Sequence, residues 1–272
     1  MTAETIIRIS AFAIVFGLLT FWEMWKPRRR LVVSKVTRWV ANLSVVFLDA
    51  IVVRLLFGAG AAGMALLVTD RHWGIMNHVE APLWFKTVLA VIVLDFILYI
   101  QHVLFHAVPL LWRFHMMHHA DLDCDVTTGV RFHPVEVALS MLIKLAAIMV
   151  LGPSPAAVLI FEVLLNATSM FNHSNVRIPV TIDRALRLIV VTPDMHRVHH
   201  SILPRETNTN FGFNLPWWDR LLGTHRAQPD GGHEVMTLGL QQFRDPAHLT
   251  ITGILLLPFV GAPGGYPLGR DK

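Results

Sequence analysis

The chain of 272 residues is 54% hydrophobic and only 15% charged, with a mean hydropathy of +0.52. An ordinary soluble domain carries roughly 25% charged residues, so a soluble enzyme, a disulfide scaffold and a disordered chain are disfavoured and an integral membrane protein is expected. The net charge of +4 comes with no basic, aromatic-interleaved stripe that would serve nucleic acid, and Cys124, the single cysteine, has no partner for an intrachain disulfide.

The first apolar segment, residues 5–22, ends in Phe21-Trp22-Glu23-Met24-Trp25 and offers no small-residue cleavage site, so it reads as a retained span. Lys26, Arg28, Arg29, Arg30, Lys35 and Arg38 follow without an intervening acid. By the positive-inside rule this loop is cytoplasmic, against the anionic lipid face, and the amino terminus is outside. A second apolar stretch, 39–68, carries Asp49 and Arg54, and a third, 81–100, carries Lys86 and Asp95. The loop 69–80 between them holds Arg71 as its one Lys or Arg, as an outside loop should.

Residues 135–151 and 155–171 form a further apolar pair about Gly152-Pro153-Ser154-Pro155, a helical hairpin turn. Lys144 and Glu162 are each nine residues from Pro153. In antiparallel helices they share a depth about 13 Å from the turn, and an ion pair across the hairpin is expected because either charge alone in hydrocarbon is costly. Residues 173–245 are polar and read as a cytosolic cap, and the short apolar stretch 249–260 is expected at the membrane interface. The fold class is therefore an all-α integral membrane protein, multi-pass, with about four to five transmembrane helices and a cytosolic histidine-rich helical cap. Its expected divisions are 1–80 with the N-terminal spans and basic loop, 81–225 with the histidines and the hairpin 135–171, and a C-terminal tail 226–272.

Of the 15 histidines, five fall within 102–119 and three within 196–200. His102 and His106 are i and i+4, so on a helix they share one face with Asp95 and Tyr99. His115, His118 and His119 form an i, i+3, i+4 set, and His196, His199 and His200 repeat it after Thr192-Pro193, a fitting N-cap and first helical residue. Imidazole binds iron, zinc, copper and nickel, and eight imidazoles oversupply one tetrahedral ion but suit two. His173 is a ninth candidate ligand. Asp95, His133, Glu136 and Asp194 are candidates to hydrogen-bond the distal nitrogens of ligand histidines. His72, His78, His225, His233 and His248 read as ordinary polar residues, and Trp112, Trp217 and Trp218 as interfacial anchors. No carboxylate-bridged Glu-x-x-His pair and no H-E-x-x-H is present.

The run Asp95-x3-Tyr99-x2-His102-x3-His106, then Pro109-x2-Trp112-Arg113-Phe114-His115-x2-His118-His119, resembles the fatty acid hydroxylase superfamily, in particular its sterol desaturase branch. Arg131-x-His133-Pro134-x-Glu136, Phe171-Asn172-His173-Ser174-Asn175, Thr192-Pro193-x2-His196-Arg197-Val198-His199-His200 and Trp218-Asp219-Arg220-x2-Gly223-Thr224 continue it in order. Ser169 stands where some acyl hydroxylases of the superfamily have a further histidine. The resemblance implies a membrane-bound di-iron centre that uses O2 and external electrons to hydroxylate or desaturate a lipid, such as a sterol or fatty acyl chain. With no G-x-G-x-x-G fingerprint in the chain, reducing equivalents are expected from a separate donor protein: cytochrome b5-like, a ferredoxin or a reductase. The competing readings are a metal transporter or metal-buffering membrane protein, disfavoured because the histidines cluster at one predicted face, and a zinc-dependent hydrolase, which needs three protein ligands and a water.

Overall fold

A computed structural model describes residues 2–260 and 262–268; Met1, Gly261 and 269–272, which fall within the expected first and last divisions, lie outside the described residues. The described residues are all-helical, with isolated backbone bridges at Pro27–Val176 and Ser201–Leu238 in place of strands. Five helical segments are long and apolar enough to cross a membrane. They are α1 (Ala3–Trp25), the broken segment formed by α2 (Lys35–Phe57) and α3 (Gly60–Asp70), α4 (Leu83–Ala107), α6 (Pro134–Leu151) and α7 (Pro155–His173), with the short α5 (Pro109–His119) between α4 and α6.

The expected single span 39–68 is two helices. Gly58 and Gly60 take positive φ, a conformation L side chains rarely adopt, and end α2 before α3 begins. The second piece then presents Ala61, Ala65 and Val68 to Ile148 of α6 and Val158 of α7. Small residues permit this close approach, which replaces the missing hydrophobic drive between helices in lipid.

Loops segregate to the two ends as the charge pattern predicts. At one end the backbone of Gly74 abuts that of Gly152, where an added Cβ would stand 2.3 Å from the Gly152 nitrogen, so the 71–80 loop rests on the hairpin turn. At the other end the basic loop meets the exit of α7, with Arg28 N donating to Asn175 O and Arg177 N to Lys26 O, and Asp123 Oδ2 accepts from Val32 N and Val33 N. The cap grows from this second end and includes α8 (Val180–Leu186), α9 (Pro193–His199), α10 (Pro204–Thr207), α11 (Trp217–Leu221) and α12 (Ile251–Leu256). Within the stretch 249–260, Ile254 packs on Ala41, Val45 and Met117, while Ile251, Leu256, Phe259 and Val260 stay exposed.

The hairpin turn is capped as its residues dictate: Gly152 is left-handed, and Ser154 accepts from Ala157 N ahead of Pro155. Lys144 Nζ donates to Glu162 Oε1 at 2.7 Å, as the matched depth predicts. A third partner, Arg8 of α1, reaches the other carboxylate oxygen at 2.5 Å. One acid thus serves two cations. Glu162→Leu strands Lys144 and leaves Arg8 with Glu4 alone, and is expected to cost about 2–3 kcal/mol, below the 3–5 of a fully buried pair because both cations keep some exposure. Lys144→Met, with Arg8 still on Glu162, should cost about 1 kcal/mol. Unfolding of the detergent-solubilised variants checks this ranking; equal losses would show that Arg8 shares nothing.

Candidate metal centre

The last turns of α4 carry His102 and His106. Val108 then leaves helical geometry, Pro109 opens α5, and the chain folds back so that His115, His118 and His119 meet them. His173 closes α7, and α9, opened by Pro193, brings His196, His199 and its C-cap His200. Thr192 is the N-cap of α9 by backbone position but makes no side-chain capping bond.

All nine histidines are at most 2% exposed and fall into two groups. His102, His106, His115, His119 and His199 form one, His118, His173, His196 and His200 the other, with ligand atoms within 4.8 Å of one another in each. The two His-x2-His-His boxes interlock. In α5 the i and i+4 residues enter the first group and i+3 the second; in α9 the i and i+4 residues enter the second and i+3 the first. Adjacent helical residues point about 100° apart, so each His-His pair divides between the groups.

The hydrogen bonds determine where the imidazole protons are. Nδ1 of His102, His199, His118 and His173 faces the carbonyl oxygens of Phe211 (2.7 Å), Thr209 (2.7 Å), Arg131 (3.1 Å) and Ser169 (2.7 Å). Carbonyl oxygen only accepts, so each Nδ1 carries the proton and each neutral ring presents a bare Nε2 lone pair. Yet Nε2 of His102 lies 3.1 Å from that of His199, and Nε2 of His118 lies 3.0 Å from that of His173. Lone pairs that face each other at this distance need an electrophile between them.

Protonation does not relieve them. Burial lowers His115 to about 3, and burial followed by neighbouring imidazoles holds His118, His119, His196, His199 and His200 well below the ordinary imidazole value. His106 Nε2 and both nitrogens of His200 are buried without a hydrogen-bond partner. The donor set therefore fits metal ions, which need deprotonated nitrogen.

Of the four expected supports, one touches a candidate ligand: Glu136 Oε1 accepts from His115 Nδ1 at 2.7 Å. Asp95 instead accepts from the backbone N–H of Asn214 and Leu215 and from Trp218 Nε1. Asp194 pairs with Arg28 and Arg197, tying the basic loop to α9. His133 caps α6, accepting from Val135 N, and its Nε2 donates to Leu255 O of α12. These three act on the surrounding frame, because the expected hydrogen-bond roles are filled largely by main-chain carbonyls.

Sequence reasoning missed the loop 208–215. Its Asn208 side chain accepts from His106 Nδ1, and its Thr209 and Phe211 carbonyls hold His199 and His102. Two acids clamp it: Asp95 from α4, and Asp219, which accepts from Phe211 N, Gly212 N and Thr224 Oγ1 at 2.7–2.9 Å. Gly212 has no room for a Cβ, which would stand 2.9 Å from Asp219 Oδ2. The Trp-Asp-x3-Gly-Thr run was visible, but nothing local to it announces contact with the loop.

Trp112 is a correction. It is fully buried, packs at a tilt against His106 and His119, and donates to Pro263 O, so it belongs to the cap core rather than an interface. Its i+3 and i+7 spacing to His115 and His119 was the available signal.

Asp219→Leu leaves every histidine in place while releasing the loop, and is expected to weaken metal retention roughly 10–100-fold. Metal-to-protein ratios after dialysis against graded chelator measure this; wild-type retention would remove Asp219 from the support.

Among curated proteins the chain is 34% identical over 148 residues to the ornithine lipid hydroxylase OlsE of Rhizobium tropici, covering 54% of this chain and 44% of that protein. It is 30% identical over 150 residues to the human alkylglycerol monooxygenase, covering 53% and 31%. It is 28% identical over 169 residues to the human cholesterol 25-hydroxylase, covering 58% and 60%. The chain thus spans less than two thirds of each relative's length. No solved structure matches. The model of the fatty acid hydroxylase family matches residues 87–224, just over half of the chain and the whole of the histidine constellation, and the chain belongs to that family.

Proposed function

We propose that the chain is a membrane-bound di-iron oxygenase that uses O2 and electrons from a separate donor protein to hydroxylate a lipid. The observation that carries the metal reading is the pair of opposed Nε2 contacts, His102 to His199 and His118 to His173, one in each group. The five close Nε2 contacts are 3.0–3.2 Å, and the two groups of five and four imidazoles would hold two ions, unlike a zinc hydrolase site with three protein ligands and a water. Iron bound there would supply O2 activation and attack on an unactivated C–H bond, chemistry beyond any side chain.

The chain's own residues bind and orient. A cavity of about 350 Å³ runs between the spans and is lined at one end by His102, His115 and Glu136 and elsewhere mostly by apolar side chains such as Leu98, Val137 and Phe161. Its volume, near the lower end of the roughly 300–1,000 Å³ of ligand pockets, suits an alkyl segment rather than a whole lipid. Phe105 and Phe213 pack against the rings of His115 and His102 in the cavity lining, while Glu136 Oε1 holds the proton of His115 Nδ1. One oxygen atom enters a C–H bond to give the alcohol; the other leaves as water with two electrons and two protons. The names of the relatives, all hydroxylases or monooxygenases, support oxygen insertion over desaturation.

The basic loop lies at the histidine end, which under the positive-inside rule supports a cytoplasmic centre. In a chain with Cys124 replaced, Asp70→Cys should react with an impermeant thiol reagent in intact cells and Ser34→Cys should not. The reverse would put the centre outside. For the reaction, folded protein should hold two irons, and lipid extracts of expressing cells should contain species heavier by one oxygen that vanish with His118→Ala or His199→Ala. One metal per folded chain, or unchanged lipids, would overturn the reading.

A further inference from the structure

The cavity wall carries several polar side chains, and nearly all are engaged with protein. Gln101 Nε2 donates to Ser140 Oγ at 2.9 Å and Ser169 Oγ to Gly129 O at 2.6 Å. Lys144 and Asn166 are committed to the Glu162 side chain and carbonyl. Asp49 differs. It lines the same cavity, is only 9% exposed, and its Oδ1 is buried without a hydrogen-bond partner.

Asp49 sits mid-helix in α2, seven residues beyond Asn42, whose Oδ1 receives Arg131 Nη1 at the histidine end. That is about 10 Å further from that end along the helix. An unpartnered carboxyl inside a span is costly and marks a functional position unless a partner arrives. Phe12, Val46 and Val130 on the same wall offer no polar group, and Glu136, the acid whose charge reaches Asp49, adds a second acceptor, its own Oε2 buried without a partner.

We propose that Asp49 is a specificity-determining residue that accepts a hydrogen bond from a donor group, a hydroxyl or an amine, carried by the lipid in the cavity. The donor is thereby held at a set distance from the histidine end, and the carbon presented there is chosen by its separation from that donor. This rests on the oxygenase reading for the meaning of the site, but the binding itself does not need turnover.

The test uses three probes of one chain length that differ only at the terminus: dodecane, dodecanol and dodecylamine. Binding to the iron-loaded, detergent-solubilised chain is read by native mass spectrometry. The wild type should bind dodecanol or dodecylamine roughly tenfold or more tighter than dodecane, the scale of a hydrogen bond to an ionisable group. Asp49→Leu, an apolar substitution suited to a span, should erase that preference. Asp49→Asn keeps a hydrogen-bonding terminus without charge, so it should retain preference for the alcohol and lose it for the amine, which tells the two donors apart. Equal binding of all three probes to the wild type, no binding of any, or a preference that survives Asp49→Leu would overturn the proposal. Loss of metal from both variants would assign Asp49 to the fold and overturn it too. If wild-type cells make no oxygenated lipid, the oxygenase reading fails while the probe preference still stands or falls by itself.

Discussion

Neutral imidazoles repel when their lone pairs are aimed at one point, and here nine buried rings converge on two. Six of the rings are fastened from behind by an acceptor that fixes tautomer and direction, while Nδ1 of His119, His196 and His200 has no hydrogen-bond partner. Main-chain carbonyls do most of that fastening, so the rigidity of the centre is the rigidity of the backbone around it. Arg38 shows how far this requirement reaches. It is fully buried and bonds Asp121, Asp125, the Asp123 carbonyl and Thr128, locking the loop that returns from α5 to α6. Beside it Arg131 Nε donates to Met117 O and Nη1 to Asn42, placing the Arg131 carbonyl that holds His118. A carbonyl cannot be repositioned by a rotamer change, which makes it a stiffer support than a carboxylate.

The membrane half solves the opposite problem, keeping polarity out of lipid while leaving room between helices. Glu162 neutralises cations from two neighbouring helices, and the small residues of α3 draw it against α6 and α7. The cavity is walled mainly by α4, α6 and α7, with His102 and His115 in its lining. Close packing around it lets this gap persist as a defined shape.

What could be read in the sequence follows from the range of the interactions. Helical spacing is local, so the His-x2-His-His boxes, the hairpin and the depth match of Lys144 with Glu162 were legible from spacing alone. The partition of the histidines was not. Spacing puts His115, His118 and His119 near one face, but dividing them between two groups needs α9 opposite α5, a tertiary fact. Asp95, Asp194 and His133 were misplaced for a related reason. An acid near a histidine box can support a ring directly or support the loop that supports it, and the two are identical in sequence. Main-chain carbonyls have no sequence signature at all, so the roles of Thr209 and Phe211 were invisible. The tail also escaped notice, although Leu268 N donates to His106 O and Asn208 Nδ2 to Tyr266 O, sealing the first histidine group.

The two groups differ by one imidazole. His173 and Ser169 are one turn apart on α7. Here Ser169 Oγ donates to Gly129 O, while its carbonyl takes the proton of His173. Gly129 makes that approach possible, since an added Cβ would stand 2.3 Å from the Ser169 oxygen. Ser169 puts a small side chain on the cavity wall, one turn from His173 of the group of four, while His102 and His115 of the group of five line the same cavity. The cavity lining thus touches the first group directly and approaches the second through Ser169, where a bulkier side chain would narrow it.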